Sequence, residues 1–366
     1  MKNRNILFTV NLLAVACLLF LPVAQARRPS EDRGNGNSAA ENVEALNLST
    51  TGSNNTAHGW FSLFSNTSGS SNTADGFQAL LSNTTGTNNT ATGFAALFSN
   101  TIGNTNTAMG FEALFGNTTA SDNTAIGFGA LFGNTTGIEN TAIGSVALNR
   151  NATGNDNTAT GFGALFGNTI GTENTATGSQ ALNQNTEGDA NTAFGRSALF
   201  SNTIGERNTA IGFRALVNNT TGSFNTAIGD GALINSTGRD NTAVGEGAGS
   251  AITTGSGNVH IGSFVTGLSL DETNTTRIRN IGLTPIVGGL PVVMEAFGPN
   301  GDGKLGIGSS SQRYKEDIKP MDKTSERLFA LKPVTFRAKA NVESANVKHY
   351  GLTAEDVAAV DPDLVV

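Results

Sequence analysis

Small, polar and apolar residues recur along the middle of the chain with a fixed period. The consensus is Asn-Thr-Ala-x-Gly-x-x-Ala-Leu-x-x-Asn-Thr-x-Gly-x-x, and its positions are numbered 1 to 17 from the first Asn. Each copy follows the previous one directly, and the copy that begins at Asn225 is one position shorter than the others. The copies begin at Asn55, Asn72, Asn89, Asn106, Asn123, Asn140, Asn157, Asn174, Asn191, Asn208, Asn225, Asn241 and, in degenerate form, Asn258. A fixed period of this kind indicates stacked structural units.

Each copy contains two turn signals separated by short segments. Gly at position 5 and Asn-Thr-x-Gly at positions 12 to 15 are typical of turns, because Gly and Asn tolerate positive φ. The segments between them are too short for helices, so the pattern predicts two short strands and two turns per copy. One copy then forms one coil of an all-β solenoid, a β-roll or β-helix. Strands pair at about 4.8 Å, so thirteen coils predict a rod on the order of 60 Å long. Stacked Asn side chains are expected to hydrogen-bond along it.

Large apolar residues recur at positions 6, 9 and 10. Examples are Phe94, Leu97 and Phe98 in one copy and Phe128, Leu131 and Phe132 in another. A 17-residue coil is too narrow to hold all of them, and exposed together they form a long apolar stripe, which marks an interaction surface. We therefore predict a homotrimer with three stripes packed around a common axis. A monomeric solenoid that buries Phe internally is the alternative.

The repeats resemble, in style, the head of trimeric autotransporter adhesins. That family builds trimeric β-rolls from Asn-, Ala- and Gly-rich coils that are shorter than the coil of this chain. The resemblance implies a projecting, surface-exposed trimer and identifies no ligand.

Composition narrows the class of protein further. Gly accounts for 46 of 366 residues, 14% of residues are charged, and there is one Cys. Low charge together with 21 Phe argues against disorder. Gly without a three-residue period excludes collagen, and one Cys excludes a disulfide scaffold. The net charge of −7 predicts no nucleic-acid partner.

The N-terminal segment, residues 1–26, reads as a secretory signal peptide. Lys2 and Arg4 precede an apolar core at residues 6–23, and Ala24-Gln25-Ala26 forms a small-residue cleavage site. The sequence therefore predicts a secreted or cell-surface protein that meets a membrane only through this peptide. An uncleaved anchor and lipidation at Cys17 are the alternatives. Residues 27–49 are expected to form a flexible leader, and the repeat solenoid is expected over residues 50–263.

Acidic residues occupy position 17 of four consecutive copies and are expected to stack on one edge of the solenoid. Cation binding or glycan cleavage would use such an edge, because calcium takes oxygen ligands and glycosidases use paired carboxylates. A solvated turn residue is the simpler interpretation. The candidates are Asp122, Glu139, Asp156 and Glu173, with Arg207 two coils later. We assign no metal role to His58 or His260 and expect no cofactor; Trp60 takes the place of a Phe. A Thr ladder at position 2 that presents a surface to ice or a crystalline glycan is a further alternative.

The period ends after Ser263, and the charge density rises from Ser310. Residues 264–309 are rich in Gly and β-branched residues and predict a β-rich connector. Between Ser310 and Val366, eighteen side chains are Asp, Glu, Lys or Arg, which is the charge density of an ordinary globular domain. A small α+β domain is therefore expected over residues 310–366.

Three stretches of this domain carry a family resemblance. They are Ser310-Ser311-Gln312-Arg313-Tyr314-Lys315-Glu316-Asp317-Ile318, Lys-Pro-Val-Thr-Phe at 332–336, and Tyr350-Gly351-Leu352-Thr353-Ala354-Glu355-Asp356-Val357. The segment resembles the endosialidase-type intramolecular chaperone, a serine peptidase family that caps trimeric β-fibres. The resemblance implies a self-cleaving dyad of Ser310 and Lys315 and cleavage between Ser309 and Ser310. Ser311 stands where the family usually has Asp, which makes Ser311 the second candidate nucleophile.

The dyad also has a physical rationale. A Ser hydroxyl needs an adjacent base to become nucleophilic, and Lys serves as that base only where desolvation lowers its pKa. Trimer assembly would supply this burial, so cleavage would report correct assembly, once per chain. The chain would then be a single-turnover serine autoprotease.

The sequence as a whole predicts a trimeric surface fibre with a C-terminal chaperone that aids assembly and then cuts itself off. Family members continue beyond the point that corresponds to Val366, so an incomplete domain is expected here. A purely structural or adhesive protein without proteolysis and a polysaccharide depolymerase are the alternatives. Expected partners are two further copies of the chain and a surface glycan or host-cell ligand.

Overall fold

A computed structural model describes residues 35–39, 44–46, 50–279, 292–296, 303–307, 330–331, 334–336, 349–351 and 354–360. The chain divides into two compact units, Met1–Ile281 and Gly282–Val366. No helix among the described residues has the length and apolarity needed to cross a membrane. The predicted signal peptide lies outside the described residues.

The first unit is a parallel β-solenoid of about 14 turns with 17-residue coils, which confirms the predicted fold class. Each coil contributes one strand to a single sheet whose strand order follows the sequence; the first strand has two residues and the other strands have three. The strands are β1 (Ser38–Ala39), β2 (Thr56–His58), β3 (Thr73–Asp75), β4 (Thr90–Thr92), β5 (Thr107–Met109), β6 (Thr124–Ile126), β7 (Thr141–Ile143), β8 (Thr158–Thr160), β9 (Thr175–Thr177), β10 (Thr192–Phe194), β11 (Thr209–Ile211), β12 (Thr226–Ile228), β13 (Thr242–Val244), β14 (Val259–Ile261) and β15 (Thr276–Ile278).

The stack extends beyond residues 50–263 at both ends. β1 lies in the segment expected to be a flexible leader, and it pairs with β2. Asn37 takes the place of the Asn at position 1 in this coil, because its Oδ1 accepts a hydrogen bond of 2.8 Å from the backbone N–H of Asn55. β15 lies in the expected connector and pairs with β14. Fifteen strands at about 4.8 Å give a length of roughly 70 Å.

The prediction of two strands per coil was wrong, because the segment at positions 7 to 10 is not extended. In the copy that begins at Asn140, Val146 and Leu148 have φ of 52° and 48°. Neighbouring side chains of an extended strand point to opposite faces. The left-handed residues instead let Ala147 and Leu148 both point inward, where both are buried. The segment still bonds to the next coil, since Leu148 N–H donates to the Ala164 carbonyl at 3.0 Å.

The apolar core consists of Ala at positions 3 and 8 and Leu at position 9. Leu97 and Leu131, which the sequence placed in the exposed stripe, are fully buried. Small Ala residues leave room for one Leu per coil, and burial of each Leu contributes roughly 2 kcal/mol. Leu is buried at this position in eleven copies: Leu63, Leu80, Leu97, Leu114, Leu131, Leu148, Leu165, Leu182, Leu199, Leu216 and Leu233.

Two ladders of buried Asn side chains form the polar half of the interior, as the sequence predicted. At position 1, Asn157 Nδ2 donates to Asn140 Oδ1 at 3.1 Å and to the Gly171 carbonyl at 2.9 Å. At position 12, Asn151 Nδ2 donates to Asn134 Oδ1 and to the Gly154 carbonyl, both at 2.9 Å. Each amide therefore satisfies backbone and side-chain groups of adjacent coils, which buried polar groups require.

The interior changes near the C-terminal end of the stack. His260 occupies position 3, where other copies have Ala, and it is 1% exposed. The preceding copy has Gly249 at position 9 instead of Leu, and a Cβ atom on Gly249 would lie 3.1 Å from His260 Nδ1. The imidazole thus fills the space that a Leu side chain leaves. Neither ring nitrogen has a hydrogen-bond partner among the described residues.

An ion pair lies next to this histidine. Arg277, which pairs with His260 in the strand register, donates from Nη2 to Glu272 Oε1 at 2.6 Å. The bond from Arg277 lowers the pKa of Glu272 to about 2. Burial of the ring lowers the pKa of His260; Arg277 adds to this effect and Glu272 opposes it.

The buried histidine makes the end of the stack sensitive to acid. Folded His260 binds a proton less readily than the unfolded chain, so its contribution to stability is complete above its unfolded pKa of about 6.5 and is lost below it. We expect the amides of β14 to lose hydrogen-exchange protection between roughly pH 7.5 and 5.5, after correction for intrinsic exchange rates. The amides of β8, far from this site, serve as the internal reference.

The double substitution Gly249→Leu/His260→Ala restores the consensus interior and supplies the control. It is expected to remove the pH dependence of β14 over this range while keeping the coil folded. Equal protection of β14 at both pH values in the unsubstituted protein would contradict the assignment.

The second unit contains short elements. β16 (Val292–Ala296) and β17 (Gly303–Ile307) pair in antiparallel fashion within the predicted β-rich connector. β18 (Val334–Phe336) pairs with β19 (His349–Gly351), and α1 (Ala354–Val360) follows.

Candidate functional site

The predicted dyad and cleavage point lie outside the described residues. These are Ser309, Ser310, Ser311 and Lys315. The structure does describe parts of the two other stretches that carry the family resemblance. Val-Thr-Phe of the first forms β18, and Tyr350-Gly351 of the second lies in β19. Thr335 is opposite Tyr350 in the register, so the fold brings the two stretches together.

The acidic residues at position 17 form an exposed ladder, as expected from their spacing. Asp122, Glu139, Asp156 and Glu173 have φ between 56° and 61°, a left-handed conformation that Asp tolerates better than most residues. A hydrogen bond with Asp156, and repulsion from its charge, raise the pKa of Glu139. The two carboxyl groups are therefore close enough to interact.

This interaction bears on the chemistry proposed for the ladder. Glycosidases hold their two carboxyl groups about 5 Å or more apart, on either side of the scissile bond. Two carboxyl groups on the same side of adjacent coils that share a proton do not match that arrangement. No group of three or more His, Cys, Asp or Glu side chains in the described part of the chain could hold a metal ion. Position 17 has the geometry of a solvated turn.

Large apolar side chains do lie exposed along the strand side of the solenoid. Position 4 ends each strand and position 6 follows the Gly turn, and their side chains point outward side by side. The name apolar face is used for the residues at these two positions from Trp60 to Ile261. Its exposed large hydrophobic members are Trp60, Phe94, Met109, Phe111, Ile126, Phe128, Ile143, Phe162, Phe194, Ile211, Phe213, Ile228, Val244 and Ile261.

The rings of this face form a continuous stack along part of the rod. Phe77, Phe94, Phe111 and Phe128 lie parallel, with centroids 5.2, 4.9 and 5.3 Å apart. Phe128 and Phe162 are more than half exposed. The predicted exposure of position 6 is therefore confirmed in the single chain.

Position 10 differs from position 6. Phe98, Phe115 and Phe132 also stack, with centroids 5.0 and 5.2 Å apart, but they are half-buried against their own coil. The sequence pattern predicted one exposed stripe for positions 6, 9 and 10 and gave no prediction for position 4. Strand alternation is the signal that identifies position 4, because its neighbour Ala at position 3 points inward.

The shortened copy opens a shallow cavity. The copy that begins at Asn225 lacks a residue at position 14. A space of about 380 Å³ lies at this point, between the preceding and the following coil. Phe224, Arg239, Thr221 and Thr254 are among the residues that line it. The guanidinium groups of Arg207 and Arg239 lie 5.5 and 5.8 Å from the centre of the Phe224 ring, and Arg239 pairs with Asp240 at 2.8 Å.

Comparison with known proteins is informative only for the C-terminal segment. No curated protein and no solved structure matches the chain significantly. Residues 310–366 match the family described as chaperone of endosialidase, which agrees with the resemblance read from the sequence.

Proposed function

We propose that the chain is an exported, homotrimeric β-solenoid fibre whose C-terminal segment is an intramolecular chaperone. The match of residues 310–366 to the chaperone of endosialidase carries the proposal. The exposed apolar face of the solenoid supports it independently, because a monomeric protein rarely exposes a contiguous patch of more than a few hundred Å².

A chaperone at one end meets a specific need of this fold. Identical coils of three chains can align out of register by whole repeats, because each repeat offers the same contacts. The open ends of the sheet also expose backbone groups that can pair with other chains. Alignment of three chains at residues 310–366 sets one register before the solenoids associate along their length.

Self-cleavage follows from the dyad. Unprotonated Lys315 takes the proton of the Ser310 hydroxyl, whose oxygen attacks the carbonyl carbon of Ser309. The peptide bond breaks as the proton passes to the nitrogen of Ser310, which leaves an ester. Water then hydrolyses the ester, regenerates the hydroxyl and releases residues 310–366. Burial in the assembled trimer keeps Lys315 unprotonated near neutral pH.

The nucleophile is tested by substitution in the full-length chain. Ser310→Ala is expected to abolish release of the C-terminal piece, and Lys315→Met to reduce it at least about 100-fold, the usual contribution of a general base. Release is measured by denaturing gel and mass spectrometry. Ser311→Ala is the matched control and is expected to cleave normally.

Two results would change this assignment. Loss of cleavage in Ser311→Ala, with normal cleavage in Ser310→Ala, would transfer the role of nucleophile to Ser311. An intact chain in the unsubstituted protein would contradict self-cleavage and favour a purely structural or adhesive fibre.

Export through Met1–Ala26 and display at the cell surface or secretion belong to the same proposal, as does a surface glycan or host-cell ligand. The cavity beside Phe224 is the described feature that fits such a ligand, because it combines a ring, hydroxyl groups and a guanidinium group. A depolymerase that uses Glu139 and Asp156 gains no support from the interaction between these two carboxyl groups.

A further inference from the structure

We infer that the apolar face, at positions 4 and 6, is the surface along which the three chains meet, and that positions 14, 16 and 17 point outward in the trimer. The inference rests on the proposed function, because it assumes that the chain associates with two further copies. It corrects the stripe read from the sequence, since position 9 is interior and position 10 is half-buried.

The distribution of apolar side chains singles out this face. Fourteen of the 23 exposed large hydrophobic side chains among the described residues belong to it. Positions 4 and 6 carry no charged residue over the six copies between Thr92 and Ser179, and four over the whole face: Asp75, Arg196, Asp230 and Glu246. Charged residues concentrate instead at positions 16 and 17, for example Asp156, Glu206, Arg207 and Arg239. Burial of positions 4 and 6 would therefore remove fewer charged groups from water than burial of positions 16 and 17.

The exposed area is larger than a monomeric protein usually presents in one patch. An aromatic side chain has roughly 200 Å² of surface, and the seven rings among the exposed members of this face are 43% to 59% exposed. These rings alone amount to about 700 Å² per chain, above the ~300–600 Å² of the largest apolar patch on a typical monomer.

The spacing of the face favours another copy of this chain as its occupant. The rings repeat every 4.9 to 5.3 Å along the rod, which is the coil spacing. A partner that covers the face from Trp60 to Ile261 must present apolar groups at that same spacing. A second solenoid with the same coils has this spacing along its whole length.

Side-chain sizes at positions 4 and 6 also differ from copy to copy: both are large in Ile126 and Phe128, and both are small in Thr177 and Ser179. Copies with Phe at position 6 can have Thr at position 4, as in Thr160 and Phe162. Copies with Ser at position 6 can have Ile at position 4, as in Ile143 and Ser145. Only chains aligned coil for coil bring identical levels together around the axis, so this pattern fits the single register that an assembly chaperone would set.

The test compares two pairs of Ile→Glu substitutions in the full-length protein. Ile126 and Ile211 lie on the apolar face and are 37% and 38% exposed in the single chain. Ile102 and Ile170 lie at position 14 and are 50% and 51% exposed. Within each pair the two substituted sites are several coils apart, so the two new carboxylates do not face each other. Ile170 lies one coil from Glu187, so the control carries a like-charge contact that the test pair lacks. Each exposed site is expected to tolerate Glu in an isolated chain.

We expect Ile126→Glu/Ile211→Glu to lower the native mass about threefold, because buried charges without partners oppose association. The control Ile102→Glu/Ile170→Glu is expected to stay trimeric. A trimeric Ile126→Glu/Ile211→Glu protein, or dissociation of the control alone, would overturn the inference and leave the proposed function intact. A monomeric, folded protein without substitutions would overturn the proposed function itself.

A second measurement requires no substitution. Met109, at position 4, is 45% exposed in the single chain, so peroxide should oxidise it readily in a monomer. In the trimer we expect its oxidation to be at least about tenfold slower than in the denatured chain. Equal rates in the folded trimer and the denatured chain would place Met109 outside the interface and overturn the inference.

Discussion

Replacement of Asn157 by Asp is expected to destabilise the solenoid by about 4 kcal/mol at neutral pH, although the two side chains have the same shape. Asn157 is fully buried. Its Nδ2 donates to Asn140 Oδ1 and to the Gly171 carbonyl, and its Oδ1 accepts two bonds from Asn174. A carboxylate keeps the two accepted bonds but places an oxygen against two other acceptors. Breaking a buried polar network and leaving an uncompensated charge costs roughly 3–5 kcal/mol.

The measurement is the urea unfolding midpoint, with Asn88→Asp as the matched control. Asn88 lies at position 17, is exposed, and has φ of 59°, close to the 61° of Asp122 in the equivalent place. The control is expected to change stability by less than about 0.5 kcal/mol. The defect of Asn157→Asp should lessen in acid, because burial raises the pKa of the new carboxyl group. Equal midpoints for the two variants would contradict the buried ladder.

Replacement of Gly144 by Ala is expected to cost about 3 kcal/mol or more. Gly144 lies at position 5 with φ of 135°, a region that residues with a Cβ atom rarely enter. A Cβ atom there would lie 2.5 Å from the carbonyl oxygen of Gly161 in the next coil. Backbone of a neighbouring coil cannot move aside without breaking the sheet. The strain of the dihedral angle alone is worth about 1–3 kcal/mol.

Gly231→Ala provides the comparison for this substitution. Gly231 also has positive φ, but at 60°, and its nearest neighbour would be Ile234 Cδ1 at 3.8 Å. Ala95 occupies the equivalent position with φ of 51°. We expect this variant to lose no more than about 1 kcal/mol. The measurement is thermal unfolding of Gly144→Ala and Gly231→Ala in parallel. A similar loss of stability in both variants would refute the requirement for Gly at position 5.

Features with a strong local signal were predictable from the sequence. The repeat interval sets the coil, Gly at position 5 marks a turn that only Gly can make, and regularly spaced Asn residues imply a ladder. Each of these follows from backbone chemistry within one copy. The resemblance of the C-terminal segment was likewise readable from three short stretches, and the comparison of residues 310–366 with known families agrees with it.

Features that depend on packing between coils were not predictable. The preference of Leu for helical or extended backbone gives no hint that Leu148 adopts φ of 48°, and this conformation decides that position 9 is interior. The division between exposed position 6 and half-buried position 10 likewise depends on how the chain bends back on itself. The presence of Gly249 in place of the consensus Leu is explained only when the two coils are stacked, because the His260 ring occupies the space of the missing side chain.

Under the proposed function, the solenoid needs partner chains in a defined register, and the C-terminal segment aligns them. Buried Asn ladders and Gly turns recur from coil to coil, and in the proposed trimer two further copies cover the exposed apolar face. A segment that aligns three chains before they associate would prevent the misaligned contacts that identical repeats permit.

The most direct test of the central claim is the native mass of the protein, measured by sedimentation in parallel for the full-length chain and for a chain that ends at Ser309. We predict that the full-length chain yields particles with three solenoids and that the shortened chain yields monomers or irregular aggregates. A full-length chain that is monomeric with folded repeats would contradict the trimer. A shortened chain that forms the same trimer unaided would contradict the role of residues 310–366 as its chaperone.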